Sequence, residues 1–69
     1  MELSLKIMVN GEVRTTAART LDDLCRELGL TETKVATARN GEFVPANTRA
    51  QVALIDGDAI EVLSPRQGG

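Results

Sequence analysis

Histidine, tryptophan and tyrosine are absent from the chain, and cysteine and phenylalanine occur once each, as Cys25 and Phe43. A zinc site built from Cys and His is thereby excluded. So are an intramolecular disulfide and an iron–sulfur cluster held by four cysteines of this chain. Without histidine, the side chain most used for proton transfer near neutral pH is missing, and 69 residues leave little room for a ligand-sized pocket. Catalysis is therefore not expected, and neither a cofactor nor a metal is. No apolar run approaches the roughly 20 residues of a membrane span. Charge of one sign is also scarce: 8 Lys and Arg stand against 10 Asp and Glu, for a net charge of −2. That balance, with almost no aromatic surface for stacking, argues against nucleic acid as a partner. The first residues lack the basic segment and unbroken apolar stretch of a secretory signal. A cytoplasmic home is expected, and it suits a reduced, lone thiol.

What is present is a globular composition, 42% hydrophobic and 26% charged, sufficient for one domain. Residues 3–9 alternate: Leu3, Leu5, Ile7 and Val9 share one face, Ser4, Lys6 and Met8 the other. Period two predicts a strand with one buried face. Asn10-Gly11 accepts the positive φ angles of a tight hairpin turn, so Glu12 to about Thr16 should return as a second strand, with Val13 its main apolar contribution. A short helix follows. Thr20 is its cap, Asp23 completes a capping-box pattern, and Asp22 and Asp23 suit the positive end of the helix dipole. Leu21, Leu24, Cys25 and Leu28 recur at helical spacing and form its apolar face. Gly29 can end the helix in a left-handed conformation, with Leu30 folding back.

Residues 31–34 read as a loop and Val35 to about Arg39 as a strand, turned by a second Asn-Gly pair at Asn40-Gly41. Glu42-Phe43-Val44 is its short partner, stopped by Pro45. Residues 46–54 should form a turn or short helical segment anchored by Val52 and Leu54. Asp56-Gly57-Asp58 is a tight turn, and Ala59-Ile60-Glu61-Val62-Leu63 is the last strand. Two hairpins with a helix between them must bury that helix on one side of a shared sheet. The strands around Ile7 and Ile60 are the most apolar and should lie in the middle, parallel to each other. This is an α+β, β-grasp (ubiquitin-like) arrangement: a mixed sheet of four to five strands with one helix packed across it. Residues 1–64 form the domain. Residues 65–69 form a flexible C-terminal tail with no apolar residue to hold it down.

That tail carries the chemistry. Gly68-Gly69 sets two residues without side chains before a free carboxylate. From Ser64 to Gly69 the chain can reach roughly 20 Å when extended. A thread this thin can enter a narrow channel, and no Cβ shields its last carbonyl from a nucleophile. Other candidates read more plainly as structure. Cys25 lies on the apolar helix face, where a thiol is inert. Asp56 and Asp58 are too few carboxylates for a closed calcium site. Phe43 should be core or half-core. Arg14, Arg19, Arg26, Arg39, Arg49 and Arg66 are scattered and read as solvated surface. Met8 and Leu63, on the outward faces of the two central strands, are candidates for a partner-docking patch. No GxxxxGK[ST] pattern exists, so this chain should not bind ATP itself.

With these residues in place, the chain resembles the ubiquitin-like sulfur-carrier family of bacteria, and most of all its thiamin branch. The likeness runs through Val35-Ala36-Thr37-Ala38-Arg39-Asn40-Gly41-Glu42-Phe43-Val44-Pro45 and Asp56-Gly57-Asp58-Ala59-Ile60-Glu61-Val62, and closes on Pro65, Gln67, Gly68 and Gly69. Many members carry an arginine after the proline. Here that position is Ala46, so no role of that arginine carries over. The resemblance implies a sulfur carrier. A ubiquitin-activating-like adenylyltransferase would draw Arg66, Gln67 and Gly68 into its site and join AMP to Gly69. A cysteine desulfurase or other sulfur donor would then convert the adenylate to a thiocarboxylate, which a thiazole synthase would consume. ATP and magnesium would belong to the adenylating partner. Three alternatives stay open: the small subunit of molybdopterin synthase, a protein modifier with the same terminal chemistry, and a β-grasp interaction domain with an incidental Gly-Gly end.

Overall fold

The structure, a computed structural model, describes residues 4–30 and 34–64. Leu3, most of the loop at 31–34 and the tail at 65–69 lie outside the described residues. Asn10 and Asn40 adopt φ of 52° and 51°, each followed by a glycine of positive φ. Each pair closes a two-residue hairpin: β1 (Leu5–Val9) with β2 (Glu12–Thr16), and β3 (Ala36–Arg39) with β4 (Glu42–Val44). β5 (Ala59–Leu63) lies between the hairpins, parallel to β1 and antiparallel to β3. Among the described residues the strands form one five-stranded sheet in the order β2-β1-β5-β3-β4. The mixed sheet with one helix across it is the β-grasp fold.

The helix α1 (Leu21–Glu27) forms where its caps permit. The Thr20 side chain accepts from the Asp23 N–H at 3.1 Å, and Asp23 in turn accepts from the Arg19 N–H. At the other end the Gly29 N–H donates to the Arg26 carbonyl and the Leu30 N–H to the Cys25 carbonyl. Both bonds need the left-handed conformation of Gly29, whose φ is 78°. The helix lays Leu21, Leu24 and Cys25 against the sheet, and the core they share with Ile7, Ala18, Val44, Leu54 and Ile60 lies on that one face. Each fully buried leucine or isoleucine contributes about 2 kcal/mol of transfer free energy. A 3₁₀ helix at Ala46–Gln51 lies beside α1, and the Leu54 N–H bonds back to the Arg19 carbonyl. Among the described residues no helix is long and apolar enough to cross a membrane.

Three expectations change. Phe43 is 69% exposed instead of core, because the turn at Asn40-Gly41 pairs it with Ala38 on the outer face and turns Val44 inward. Val13 is likewise exposed, paired with Met8, and Thr16 takes the buried position on β2. Arg39 and Arg49 are not merely solvated. Arg39 Nε donates to Asp58 at 2.8 Å, and Arg49 donates to the Val35 carbonyl and to Thr37 Oγ1 at 2.7 and 3.0 Å.

Candidate functional site

The residues expected to react, Gly69 with Gly68, Gln67 and Arg66 before it, lie outside the described residues. The described part of the site is the root from which they continue: β5, its supports and the sheet face around it. β5 carries alternate duties. Ile60 and Val62 face the helix, whereas Ala59, Glu61 and Leu63 face outward. Its start is fixed by Asp58, a carboxylate whose side chain is only 6% exposed. Asp58 accepts from Arg39 Nε at 2.8 Å, from Asn40 Nδ2 at 3.0 Å and from the Ile55 N–H at 2.8 Å. Burial alone would raise its pKa, but the bonds from Arg39, Ile55 and Asn40, with the Arg39 charge, outweigh that and hold it below the usual carboxylate range. The turn that sequence analysis assigned to Asp56-Gly57-Asp58 is thus also an anchor. Lys6 N–H donates to Asp56 Oδ1, and Gly57 N–H to the Lys6 carbonyl.

The outer face of the sheet is uncovered by the helix. Met8 and Leu63, named from the sequence, both lie on it, at 41% and 66% exposure. They are not neighbours. Met8 pairs with Ala59, so four residues of β5, about 13 Å, separate it from Leu63, and Glu61 stands between. Met8 instead sits beside Val13. Leu63 pairs with Ala36 and borders a shallow groove lined by Lys34, Val35, Ala36 and Ser64. Phe43 belongs to this face as well, and sequence reasoning missed it. The signal was available in the hairpin register, which alternates faces outward from Asn40-Gly41.

Cys25 is buried, as its helical spacing implied. Burial pushes its thiol pKa up, against the opposing pull of Arg49 and with a smaller push from Asp22. It is therefore protonated at neutral pH and shielded from solvent, unsuited to accept sulfur.

Comparison with known proteins adds what geometry alone does not. The model of the ThiS family matches residues 7–69. The chain belongs to the ThiS family. The match begins within β1 and covers the rest of both hairpins, the helix, β5 and the terminal glycines. Among solved structures, the thiamine biosynthesis protein ThiS of Geobacter metallireducens superposes with a TM-score of 0.77 at 28% identity, over 94% of this chain and 100% of that one. A thiazole synthase of Paramagnetospirillum magneticum is 44% identical over 66 residues, which are 94% of this chain and 20% of that protein. The chain thus spans about a fifth of the length of that relative. The solved structure is named for thiamine biosynthesis and the longer relative for thiazole synthesis.

Proposed function

We propose that this ThiS-family chain carries sulfur on Gly69 as a thiocarboxylate for formation of the thiazole ring of thiamin. The observation that carries the reading is the family match, which runs through β5 to Gly69 and includes the terminal glycine pair. A carboxylate is a poor electrophile: its charge repels nucleophiles and oxide leaves badly. A ubiquitin-activating-like adenylyltransferase would let the Gly69 carboxylate attack the α-phosphorus of ATP, expelling pyrophosphate. The resulting acyl-adenylate has no carboxylate charge and has AMP as a leaving group. The outer sulfur of a persulfide, made by a cysteine desulfurase, attacks the carbonyl carbon and displaces AMP. A thiol then cleaves the S–S bond, which leaves the Gly69 thiocarboxylate and a disulfide. Gly68 keeps the last residues slender, Gln67 and Arg66 extend them into the partner, and the β-grasp domain is the handle. The chain carries; its partners catalyse.

The acceptor is a thiazole synthase. A unit like this chain forms a fifth of a thiazole synthase in Paramagnetospirillum magneticum, which supports that acceptor over a molybdopterin one. Intact mass spectrometry after incubation with ATP, an adenylyltransferase, a cysteine desulfurase and cysteine tests the chemistry. Replacement of one oxygen by sulfur at the C-terminal residue is expected. An unchanged mass, or conjugates to lysines of other proteins, would reject the reading.

Two further outcomes are expected from the site. On docking, Leu63→Asp should raise the KM for the adenylyltransferase about tenfold, as loss of an apolar contact worth about 1.4 kcal/mol does. Its melting temperature should hardly move, because Leu63 is already exposed. Met8→Asp should behave alike, and an unchanged KM in both variants would remove this face from the interface. As for Cys25, replacement by Ser buries a hydroxyl and should cost about 1–2 kcal/mol in urea unfolding. Sulfur loading of the folded variant should equal that of the original chain. Its loss would return the thiol to the chemistry.

A further inference from the structure

β1 pairs with β5 only at Met8–Ala59 and Val9–Ile60, whereas β3 accompanies β5 as far as Leu63. At Asn10 the chain leaves the sheet through the hairpin turn. Beyond Ile60, the edge of β5 that faces β1 has no strand beside it among the described residues. The Asn10 side chain fills that place. Its Oδ1 accepts from the Val62 N–H at 2.9 Å, and its Nδ2 donates to the Val62 carbonyl at 3.2 Å. Its backbone N–H bonds the Ile60 carbonyl at 2.9 Å, one step earlier along the same edge. A carboxamide presents the acceptor and donor of a peptide unit, so it serves as one more residue of β1. Asparagine is also among the few side chains that tolerate the left-handed φ this turn requires.

Asn40 supplies the comparison. It occupies the equivalent turn of the second hairpin with nearly the same φ. Its Oδ1 accepts from the Ala59 N–H at 2.9 Å and its Nδ2 reaches Asp58 at 3.0 Å. Both hairpins therefore latch β5 through a turn asparagine, Asn40 at the strand's start and Asn10 near its end.

We infer that Asn10 is a positioning residue for the loading of Gly69: its amide holds the last residues of β5 in the sheet and so sets where the tail begins. The inference rests on the sulfur-carrier reading. With the latch in place the end of β5 is held on both edges, by Asn10 on one and by β3 on the other. Without it the end of β5 is held by the β3 pairing alone, and molecules that open back to Glu61 add Val62, Leu63 and Ser64 to the five residues that follow. In those opened molecules the effective concentration of the chain's end falls as roughly the −3/2 power of length, about twofold. Docking through the sheet face is untouched, so the loss belongs in turnover.

The test compares the original chain with Asn10→Gly and Asn40→Gly, since glycine keeps both turns and each variant loses one latch. Amide hydrogen exchange is read at Val62, and steady-state thiocarboxylate formation is read as kcat and KM for the adenylyltransferase. In Asn10→Gly the Val62 amide should exchange about thirtyfold faster, the combined cost of two hydrogen bonds. Its kcat should fall, by up to about twofold, at unchanged KM, with kcat retained in Asn40→Gly. Asn10→Asp sets a second oxygen against the Val62 carbonyl and should give the same result, which covers a failure of the glycine variant to fold. A kcat equal to the original in the Asn10 variants overturns the inference. An equal fall in the Asn40 variant also overturns it, because the effect would then be one of stability alone. If the original chain acquires no sulfur, the carrier reading fails and the positioning role fails with it, whatever Val62 exchange shows.

Discussion

Removal of Gly69 is expected to abolish thiocarboxylate formation completely while the melting temperature shifts by no more than about 2 °C. The reacting carbon is lost, so no residual turnover can come from better binding or a longer incubation. The fold should not notice. Among the described residues, the core runs from Ile7 to Ile60, and the hydrophobics packed against it end at Val62. A shift of about 2 °C corresponds to a few tenths of a kcal/mol in a domain of this size. Intact mass after the loading reaction and a thermal melt by circular dichroism check the two halves separately. A shortened chain that still supports thiazole formation would refute the carrier reading. A fall of about 10 °C would mean that the tail contributes to the core.

The second large effect concerns Asp58. Asp58→Ala should cost about 2–3 kcal/mol and lower the melting temperature by about 10–20 °C. The variant strips the partner from Arg39, from the Asn40 amide and from the Ile55 N–H together. Arg39 remains partly solvated, which keeps the cost below that of a fully buried orphaned charge. Acid should produce part of the same effect in the original chain. The Asp58 pKa is depressed in the folded state, so its contribution is complete above the ordinary value of 3.8 and is lost as pH falls below it. Melts taken from neutral pH down through that value should show a steep fall in the original chain and a shallower one in Asp58→Ala. Parallel curves would mean that this carboxylate is not what acid titrates.

Much of this architecture could be read from residue types alone because its local signals agree with one another. The two Asn-Gly pairs fixed both hairpins, Thr20 and Gly29 bracketed the helix, and the alternation in β1 marked the core face. What escaped was of two kinds. Phe43 and Val13 were judged by hydrophobicity, although the two-residue turns already forced them outward. That information lay in register. Asp58 with Arg39, and Asn10 with Val62, are pairings between residues 19 and 52 positions apart. No local pattern announces such a pairing, and only the closed sheet brings the partners together. The end proposed to react drew notice for the opposite reason: its argument lies in the absence of side chains in the sequence, which needs no packing to be seen.

The parallel pairing of β1 with β5 has a bearing on biosynthesis. Neither hairpin can close the core on its own, since Ile60 must arrive before Ile7 has a neighbour in the middle of the sheet. β5 follows every other described element along the chain, so the sheet stays open until that strand has been made. Products that stop short of β5 therefore lack a closed sheet, and their exposed apolar faces leave them to proteases.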